Sequence, residues 1–275
     1  MTRIALFQSC TGIDPAANAA ALTDAIRHAG EGGAAMLFTP EMSGLLDRNS
    51  ERARGNVRSE QEDQVLAACQ NAAGDAGIWV HLGSLAVLAG EEKLANRSFV
   101  IDADGDIRAR YDKMHLFDVD LPTGESWRES AVYRPGQEAV VVQDTPVGNL
   151  GLAICYDLRF PALFAALAEA GADSIAVPAA FTVPTGRAHW EVMLRARAIE
   201  AGTYVIAAAQ AGQHEDGRIT YGHSLVADPW GELKLDMRDQ PGLAFVEIDL
   251  ARVADVRSRI PALSHRRAIG QVSVQ

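Results

Sequence analysis

The stretch GNLGLAICYDLRFP (Gly148–Pro161) contains an apolar strand, a polar turn and the start of a helix in immediate succession. The pattern predicts a buried strand over Leu150–Ile154 and a helix over Pro161–Ala170, with proline in its first turn. Cys155 then lies at the carboxyl end of a strand, where open α/β sheets form their ligand crevices. A helix N-terminus nearby favours the thiolate, the reactive form of cysteine. The backbone N–H of Tyr156 would face the same crevice and serve as an oxyanion donor.

A single cysteine at a strand end is more often a small buried hydrophobic residue than a nucleophile. We assign the other two cysteines, Cys10 and Cys69, to that class, because neither is followed by a turn and a helix start. Three cysteines without framework spacing are typical of a reduced, cytoplasmic protein. Cys155 can be a nucleophile only if a neighbouring group takes its proton.

Ionisable residues follow two other predicted strands. Glu41 comes just after the apolar strand Ala34–Phe38, and Lys113 just after the strand Ile107–Tyr111. If these strands run parallel, the side chains meet Cys155 in one crevice. There a carboxylate can accept the thiol proton and an ammonium can stabilise an oxyanion. Histidine is the more usual base for a thiol, and three histidines stay open as alternatives: His115, His189 and His223.

Strands alternate with helices along the chain and crowd toward its C-terminus, which is typical of an α/β domain. Helices are predicted over Glu60–Gly74 and Ala188–Ala201, and the polar stretch Asp47–Glu62 is the best candidate for a linker. We nevertheless expect one domain over residues 1–275, in which 250–275 form a C-terminal helix and tail. The many short strands favour two sheets, each covered by helices on one face.

Composition excludes several classes of protein. The net charge of −11 over 275 residues argues against a nucleic-acid-binding surface. The chain lacks both a membrane-spanning apolar run and a signal-peptide apolar region, so the expected location is the cytoplasm. The Gly30–Gly33 cluster precedes a strand, whereas a dinucleotide loop follows one. His115, Asp118 and Asp120 lie close together, but their spacing is not that of a zinc site.

Five tracts together resemble the nitrilase superfamily, in which a glutamate, a lysine and a cysteine occur in this order. They are PEMS around Glu41, YDKMHLFDVD around Lys113, GLAICYDLRFP around Cys155, PAAFTVPTGRAHWEVMLRARAIE and YGHSLVADPWGE. The resemblance implies a four-layer αββα sandwich that acts on a small amide without a metal or organic cofactor. It implies that Glu41 is the general base and later the general acid. Lys113 and the Tyr156 N–H would hold the oxyanion, and Cys155 would form a thioester as ammonia leaves.

The same resemblance implies a second glutamate between the lysine and cysteine tracts. Glu129 matches that position and would orient Lys113 or the substrate amide, and Glu125 is the alternative. A homodimer is also implied, and the segment Asp118–Arg128 is a candidate lid. Intact Glu41, Lys113 and Cys155 argue against a catalytically silent interaction protein on this fold.

Within the superfamily the chain is most similar to the deaminated glutathione amidase branch, on the stretches Tyr204–His214 and Tyr221–Ser224. Omega-amidases, which act on 2-oxoglutaramate, are near neighbours, and an N-carbamoyl amino acid hydrolase is a further alternative. Deaminated glutathione and 2-oxoglutaramate both carry a 2-oxo acid carboxylate, which a guanidinium can bind with two hydrogen bonds. Arg159 is the candidate for that contact, with a structural salt bridge as its alternative role. Phe181 and Thr185 are candidate pocket walls by the same resemblance.

The tract before the Tyr204 strand also contains residues that we interpret as structural. His189 and Trp190 are expected to open a helix and to pack against the core. The charges of Arg195, Arg197 and Glu200 are expected on a helix surface that faces solvent or a second subunit.

Overall fold

Two mixed sheets form the centre of the molecule. The structure is a computed structural model that describes residues 1–90, 93–120, 124 and 126–275. The strands of the first sheet are β1 (Thr2–Gln8), β2 (Met36–Phe38), β3 (Trp79–Leu88), β4 (Leu94–Ile101), β5 (Ile107–Asp112) and β16 (Gly242–Ile248). Their spatial order is β16-β1-β2-β3-β4-β5. Strands β1, β2 and β3 run parallel, and each remaining pair is antiparallel. Strand β5 therefore runs in the same direction as β2.

The second sheet has the spatial order β15-β14-β11-β10-β9-β8, with β9, β10 and β11 parallel. Its strands are β8 (Val141–Thr145), β9 (Gly148–Leu152), β10 (Ser174–Ala176), β11 (Tyr204–Ala207), β14 (Leu225–Ala227) and β15 (Leu233–Asp236). Two short hairpins lie outside both sheets. They are β6 (Asp118–Asp120) with β7 (Ser126–Arg128), and β12 (Ala211–Gln213) with β13 (Ile219–Tyr221).

Helices begin where the sequence supplies a cap or a proline. Asp14 accepts a hydrogen bond from Ala16 N at 2.9 Å, and Asp63 accepts one from Leu66 N at 2.9 Å, which satisfies N–H groups that have no partner inside a helix. The helices are α1 (Pro15–Glu31), α2 (Ser50–Asn56), α3 (Gln64–Ala76), α4 (Pro161–Glu169), α5 (Val183–Ala201) and α6 (Ala251–Arg259). Short 3₁₀ helices lie at Glu60–Glu62, Glu129–Ala131 and Cys155–Arg159.

The alternation of side chains along the strands assigns each face of the first sheet to a different layer. In β1, Ala5 packs with α1 and α3, whereas Ile4 and Leu6 pack in the core that contains the second sheet. In β2, Leu37 belongs to the helix side, and Met36 and Phe38 belong to the sheet side. Helices α4 and α5 contribute to the core of the second sheet. The layers are therefore helix, sheet, sheet and helix, and the predicted αββα sandwich is confirmed.

Three predictions about elements need correction. The stretch Asp47–Glu62, the best linker candidate, contains α2, which Asn49 caps through a hydrogen bond from Arg52 N. The helix predicted from Glu60 begins as an α-helix only at Gln64, because Asp63 is its cap. The helix predicted from Ala188 begins five residues earlier, so His189 and Trp190 lie inside α5 and do not open it. None of the helices in the described part of the chain is both long and apolar enough to span a membrane.

Candidate active site

Glu41 follows β2 and is held in place by three hydrogen bonds. Its Oε1 accepts from Asn96 Nδ2 at 2.9 Å and from Lys113 Nζ at 2.9 Å, and its Oε2 accepts from Ala180 N at 3.0 Å. The residue is only 5% exposed. Met42, the next residue, has a positive φ of 57°, so the chain turns sharply just after the carboxylate. Glu41 thus enters the space between the two sheets in a fixed orientation.

Lys113 follows β5 and is paired with two carboxylates. Its Nζ donates to Glu41 Oε1 at 2.9 Å and to Glu129 Oε2 at 2.8 Å. Burial alone would lower the pKa of Lys113, but the charges of Glu129 and Glu41 outweigh burial, so the pKa lies well above its usual range. The ammonium therefore stays protonated and can act as a hydrogen-bond donor but not as a base.

Cys155 begins the 3₁₀ helix that follows β9. Its φ is +50°, a left-handed conformation that is strained for a residue with a side chain. Its N–H donates to Pro178 O at 2.9 Å, which anchors this turn to the loop after β10. The Tyr156 N–H lies in the first turn of the same helix, where N–H groups have no partner inside the helix. Among the described residues it has no hydrogen-bond acceptor, so it can donate to a ligand beside the thiol.

The thiol of Cys155 sits in an unfavourable place for a thiolate. Its pKa is raised well above the usual range, first by burial and second by the neighbouring Glu41 carboxylate. The ammonium of Lys113 acts in the opposite direction but does not compensate. The thiol therefore needs a base at the moment of attack, and the carboxylate beside it has the chemistry to be that base.

Glu129, whose side chain is 12% exposed, completes this cluster. Its Oε2 also accepts from Phe117 N at 2.7 Å, and its Oε1 lies 3.2 Å from Asn96 Nδ2. The side chain thus connects the lysine with the segment that follows it. The alternative, Glu125, lies outside the described residues, as does part of the candidate lid Asp118–Arg128.

Glu41, Lys113, Glu129 and Cys155 line one pocket of about 980 Å³. The same pocket is lined by the four candidate substrate-binding residues, Tyr156, Arg159, Phe181 and Thr185. The Arg159 guanidinium lies over the rings of Tyr156 and Phe181, at 5.9 and 5.8 Å from their centroids. Arg159 makes no ion pair with any residue that the structure describes, so the alternative of a structural salt bridge is not seen there. The Thr185 hydroxyl pairs with Thr182 at 2.8 Å.

Several polar residues that support this site were not predicted from the sequence. Asn96 is buried in β4 and bridges the two glutamates through its amide nitrogen. Asp157 is fully buried and accepts from Tyr111 OH, from His115 N and Nδ1, and from Ile154 N. It thereby joins the segment around Lys113 to the Cys155 turn. Its place two residues after the cysteine was the only available signal.

Gln210 also supports the site from a distance. Its Nε2 donates to Glu41 O at 3.0 Å and to Thr11 Oγ1 at 2.7 Å, and its Oε1 accepts from Ser9 Oγ and Thr11 N. The glutamine belongs to the Tyr204–His214 stretch, on which the resemblance to one branch was based. That stretch therefore holds the backbone of Glu41, which explains physically why it bears on the site.

Two predictions about individual side chains are wrong. Cys10 is exposed, whereas it was expected to be buried like Cys69. Arg197 was expected on a helix surface but is only 7% exposed. Its Nε and Nη2 donate to Leu158 O at 3.1 and 3.0 Å, and its Nη1 pairs with Glu200 at 2.8 Å. The reason is that α5 packs on the 3₁₀ helix of Cys155, whose last carbonyls need donors.

The three histidines that remained as alternative bases have other partners. His115 Nδ1 pairs with Asp157 at 2.7 Å, and His223 Nδ1 pairs with Asp236 at 3.0 Å. His189 Nδ1 lies 3.3 Å from Arg159 Nη2. No hydrogen bond joins any of them to Cys155 within residues 1–90, 93–120, 124 and 126–275. Within the same ranges, no group of three His, Cys, Asp or Glu residues is arranged to hold a metal ion.

Known proteins resemble this chain in sequence and in fold. The sequence model of the carbon–nitrogen hydrolase family matches residues 3–258. A deaminated glutathione amidase from Yersinia enterocolitica is 38% identical over 272 residues, which are 98% of this chain and 94% of that protein. The crystal structure of the Caenorhabditis elegans NitFhit protein is 38% identical with a TM-score of 0.89, and the match covers 97% of this chain and 65% of that one.

A further solved structure is a double mutant of the amidase from Nesterenkonia sp. AN1 in complex with acrylamide. It is 29% identical with a TM-score of 0.82, and the match covers 97% of this chain and 94% of that one. The family match spans most of the chain, and the fold and sequence relatives cover nearly all of it. The chain therefore belongs to the carbon–nitrogen hydrolase family, that is, to the nitrilase superfamily.

Proposed function

We propose that this protein is an amidase that cleaves a small carboxylated linear amide through a thioester on Cys155. The observation that carries the proposal is the cluster of buried Glu41 and Lys113 with partly buried Glu129, beside a thiol whose own pKa is raised. Such a thiol is inert without a base, and a lysine fixed between two carboxylates stays cationic. Family membership and the amidases among the relatives support the same reaction.

On the basis of this geometry, we propose one part of the reaction for each residue. Glu41 takes the thiol proton while Sγ of Cys155 attacks the amide carbon, and the new oxyanion accepts hydrogen bonds from Lys113 Nζ and the Tyr156 N–H. Glu41 then gives the proton to the amide nitrogen, and the C–N bond breaks to leave a thioester. Water attacks the thioester as Glu41 takes its proton, and the acid product leaves with the thiol restored. Glu129 holds Lys113 in position throughout.

Deaminated glutathione is the substrate that we propose, because the relatives that carry this name match nearly the full chain. Its 2-oxo acid carboxylate would bind Arg159, whose guanidinium is free of described carboxylates and faces the pocket with Tyr156 and Phe181. Thr185 would form the wall beside it. The scissile amide of this substrate is secondary, so its leaving group is the amine of cysteinylglycine. Ammonia leaves only from a primary amide such as 2-oxoglutaramate.

We further propose that the protein is a cytoplasmic homodimer in which residues 1–275 form one domain. The three cysteines are free, as in a reducing compartment. Large apolar side chains are exposed on α5 and beside it: Val192 is 61%, Ile199 54% and Trp230 51% exposed. A second copy that covers this surface would remove them from water.

A substrate panel tests the proposed function. We expect the highest kcat/KM for deaminated glutathione, lower values for 2-oxoglutaramate, and little or no turnover of a simple nitrile or an N-carbamoyl amino acid. Release of cysteinylglycine and of 2-oxoglutarate, each quantified by mass spectrometry, identifies the bond that is cut. A clear preference for the N-carbamoyl amino acid would place the enzyme in another branch of the superfamily.

A further inference from the structure

A row of three aromatic rings runs along the pocket and has an arginine at each end. The ring of Phe117 lies 5.1 Å from that of Tyr156 and 6.4 Å from that of Trp127. The Arg159 guanidinium lies 5.9 Å from the Tyr156 centroid at one end, and the Arg218 guanidinium lies 5.2 Å from the Trp127 centroid at the other. All five residues line the same pocket. Arg159 and Arg218 therefore lie at opposite ends of one apolar wall, and Arg48 also lies over the Trp127 ring, at 5.0 Å from its centroid.

Arg218 is held rigidly by its own loop. It precedes β13, and the preceding turn places Asp216, whose side chain is 1% exposed, against it. Asp216 accepts from the Arg218 backbone N at 3.0 Å and from its Nε at 2.9 Å. The loop is closed by His214 N, which donates to Arg218 O at 2.8 Å. A guanidinium fixed in this way loses little conformational freedom when it binds a ligand.

The outer nitrogens of this guanidinium have no acceptor among the described residues. Asp216 takes only Nε, although a guanidinium carries five N–H donors in a planar fork. The side chain is only 17% exposed, and burial lowers the pKa of Arg218, with Arg48 adding to that effect. Unpaired donors at a partly dry position are costly unless a ligand supplies acceptors. Arg218 and Glu41 line the same pocket, so the guanidinium borders the space that contains the reacting centre.

We propose that Arg218 binds a second carboxylate on the leaving-group side of the substrate and so makes the enzyme selective for amides with a carboxylate at both ends. This inference rests on the proposed function, since it takes the scissile amide to lie at Cys155 and the 2-oxo acid at Arg159. Deaminated glutathione has such a distal carboxylate on its glycine. In 2-oxoglutaramate the leaving group is ammonia, and no distal carboxylate exists.

The two substrates separate the role of Arg218 from the rest of the reaction. Both donate the same 2-oxoglutaryl group to the thiol, so they share one thioester and one deacylation step. They differ only in what leaves the amide nitrogen during acylation. A residue that binds the leaving group therefore changes the ratio of their kcat/KM values, whereas a residue that supports the fold or the thiol changes both in parallel.

The test measures kcat/KM for deaminated glutathione, for its glycine amide, which lacks the distal charge, and for 2-oxoglutaramate. In Arg218→Gln, the ratio of deaminated glutathione to 2-oxoglutaramate is expected to fall roughly 10- to 100-fold, as for loss of a charged hydrogen-bonded pair. Arg218→Lys is expected to recover part of this ratio, since an ammonium supplies the charge but not the planar set of N–H donors of a guanidinium. In the wild-type enzyme, kcat/KM should be lower for the glycine amide than for deaminated glutathione by a similar factor. In Arg218→Gln the two values should be nearly equal, because the contact with the distal carboxylate is already absent.

Arg259→Gln is the matched control, because Arg259 is an exposed arginine of α6 paired with Asp255. It should leave the ratio as in the wild type. An unchanged ratio in Arg218→Gln, or a parallel loss on both substrates, would overturn the assignment while the proposed amidase function stands. Wild-type enzyme that hydrolyses neither substrate would instead remove the proposed function, and this inference with it.

Discussion

The surroundings of Cys155 determine how its thiol is protonated, and the rate of its alkylation should therefore depend on pH. Because the pKa of the thiol is raised above its ordinary value of 9.0, the thiolate population should keep rising as the pH passes 9. We expect the rate of alkylation of the free enzyme at Cys155 to rise with pH without a plateau near neutrality. In Glu41→Gln the thiol loses a neighbouring negative charge, so its pKa should fall even though turnover falls as well.

The measurement is peptide mass spectrometry after brief exposure to iodoacetamide at a series of pH values. The exposed Cys10 provides an internal reference in every sample, and the buried Cys69 should stay unmodified. The pKa of Cys69 is raised to about 12 by burial. Alkylation of Cys155 that levels off near pH 7 would contradict the picture of a thiol that depends on a base.

Asp157 is expected to stabilise both the fold and the site. It accepts hydrogen bonds from four donors, and an asparagine in its place offers one oxygen and a nitrogen that would face donors. Asp157→Asn should lower the free energy of unfolding by about 2–4 kcal/mol. Tyr111→Phe, which removes one of the four bonds, should cost about 1 kcal/mol. Urea unfolding followed by circular dichroism measures both, and equal stability of Asp157→Asn and wild type would refute the assignment.

The residues at the centre of the site could be predicted from the sequence because each follows an apolar strand. Glu41, Lys113 and Cys155 all have that signal. Glu41 and Lys113 follow strands of one sheet that run in the same direction, but Cys155 follows a strand of the other sheet, so their meeting also depends on how the two sheets pack. The exposure of Cys10 and the burial of Arg197 could not be predicted from the sequence. Both depend on which element packs against them, and neither neighbour is close in sequence.

Gly83, in β3, shows how closely the elements approach one another at the site. A Cβ at this position would overlap the carbonyl oxygens of Thr39 and Pro40 and would lie 2.6 Å from Pro178 Cβ. Those neighbours belong to the segment that leads to Glu41 and to the loop that anchors the Cys155 N–H. Gly83→Ala should therefore separate the two segments, and we expect a loss of about 2–4 kcal/mol in stability and of most activity.

Gly55 is the matched control for this substitution. It lies in α2, its φ is not positive, and a Cβ there would meet nothing within 4 Å. Gly55→Ala should be neutral or stabilise the protein by about 0.5–1 kcal/mol, because alanine favours a helix. Thermal melts and turnover numbers compare the pair. If Gly83→Ala had the same melting temperature and turnover number as Gly55→Ala, the close contact of Gly83 with these two segments would not have the role proposed for it.

Most helices and sheet strands could be predicted because their apolar residues recur with a clear period. The hairpins β6–β7 and β12–β13 could not be, since each has strands of three residues that are partly polar. These hairpins carry Trp127 and position Arg218, so the missed elements hold one end of the pocket. The early start of α5 was missed because Val183–Arg187 lacks an apolar period.

At the scale of the molecule, the exposed apolar face on α5 predicts association. Val192→Asp places a charge on that face and should shift the protein from dimer to monomer at micromolar concentration. Val274→Asp is the control, since Val274 is 93% exposed in the C-terminal tail. Sedimentation velocity distinguishes the two, and a wild-type monomer at the same concentration would contradict the proposed homodimer.

The four-layer sandwich was implied by resemblance and by the order of strands and helices, but the pairing of the two sheets could not be derived from periodicity alone. Alternation in β1 and β2 shows that both faces of the first sheet are buried. It does not show which layer covers each face. That information is distributed over residues far apart in sequence, such as Leu6 and Leu152, which share one core.

The central claim is that a carboxylate, Glu41, and not a histidine activates Cys155. The most direct measurement is kcat/KM of Glu41→Gln beside that of His189→Gln, with circular dichroism to show that both are folded. We expect kcat/KM to fall on the order of 10²- to 10⁴-fold in Glu41→Gln, the usual contribution of general acid–base catalysis, and most of the activity to remain in His189→Gln. Near-normal turnover by a folded Glu41→Gln enzyme would contradict it.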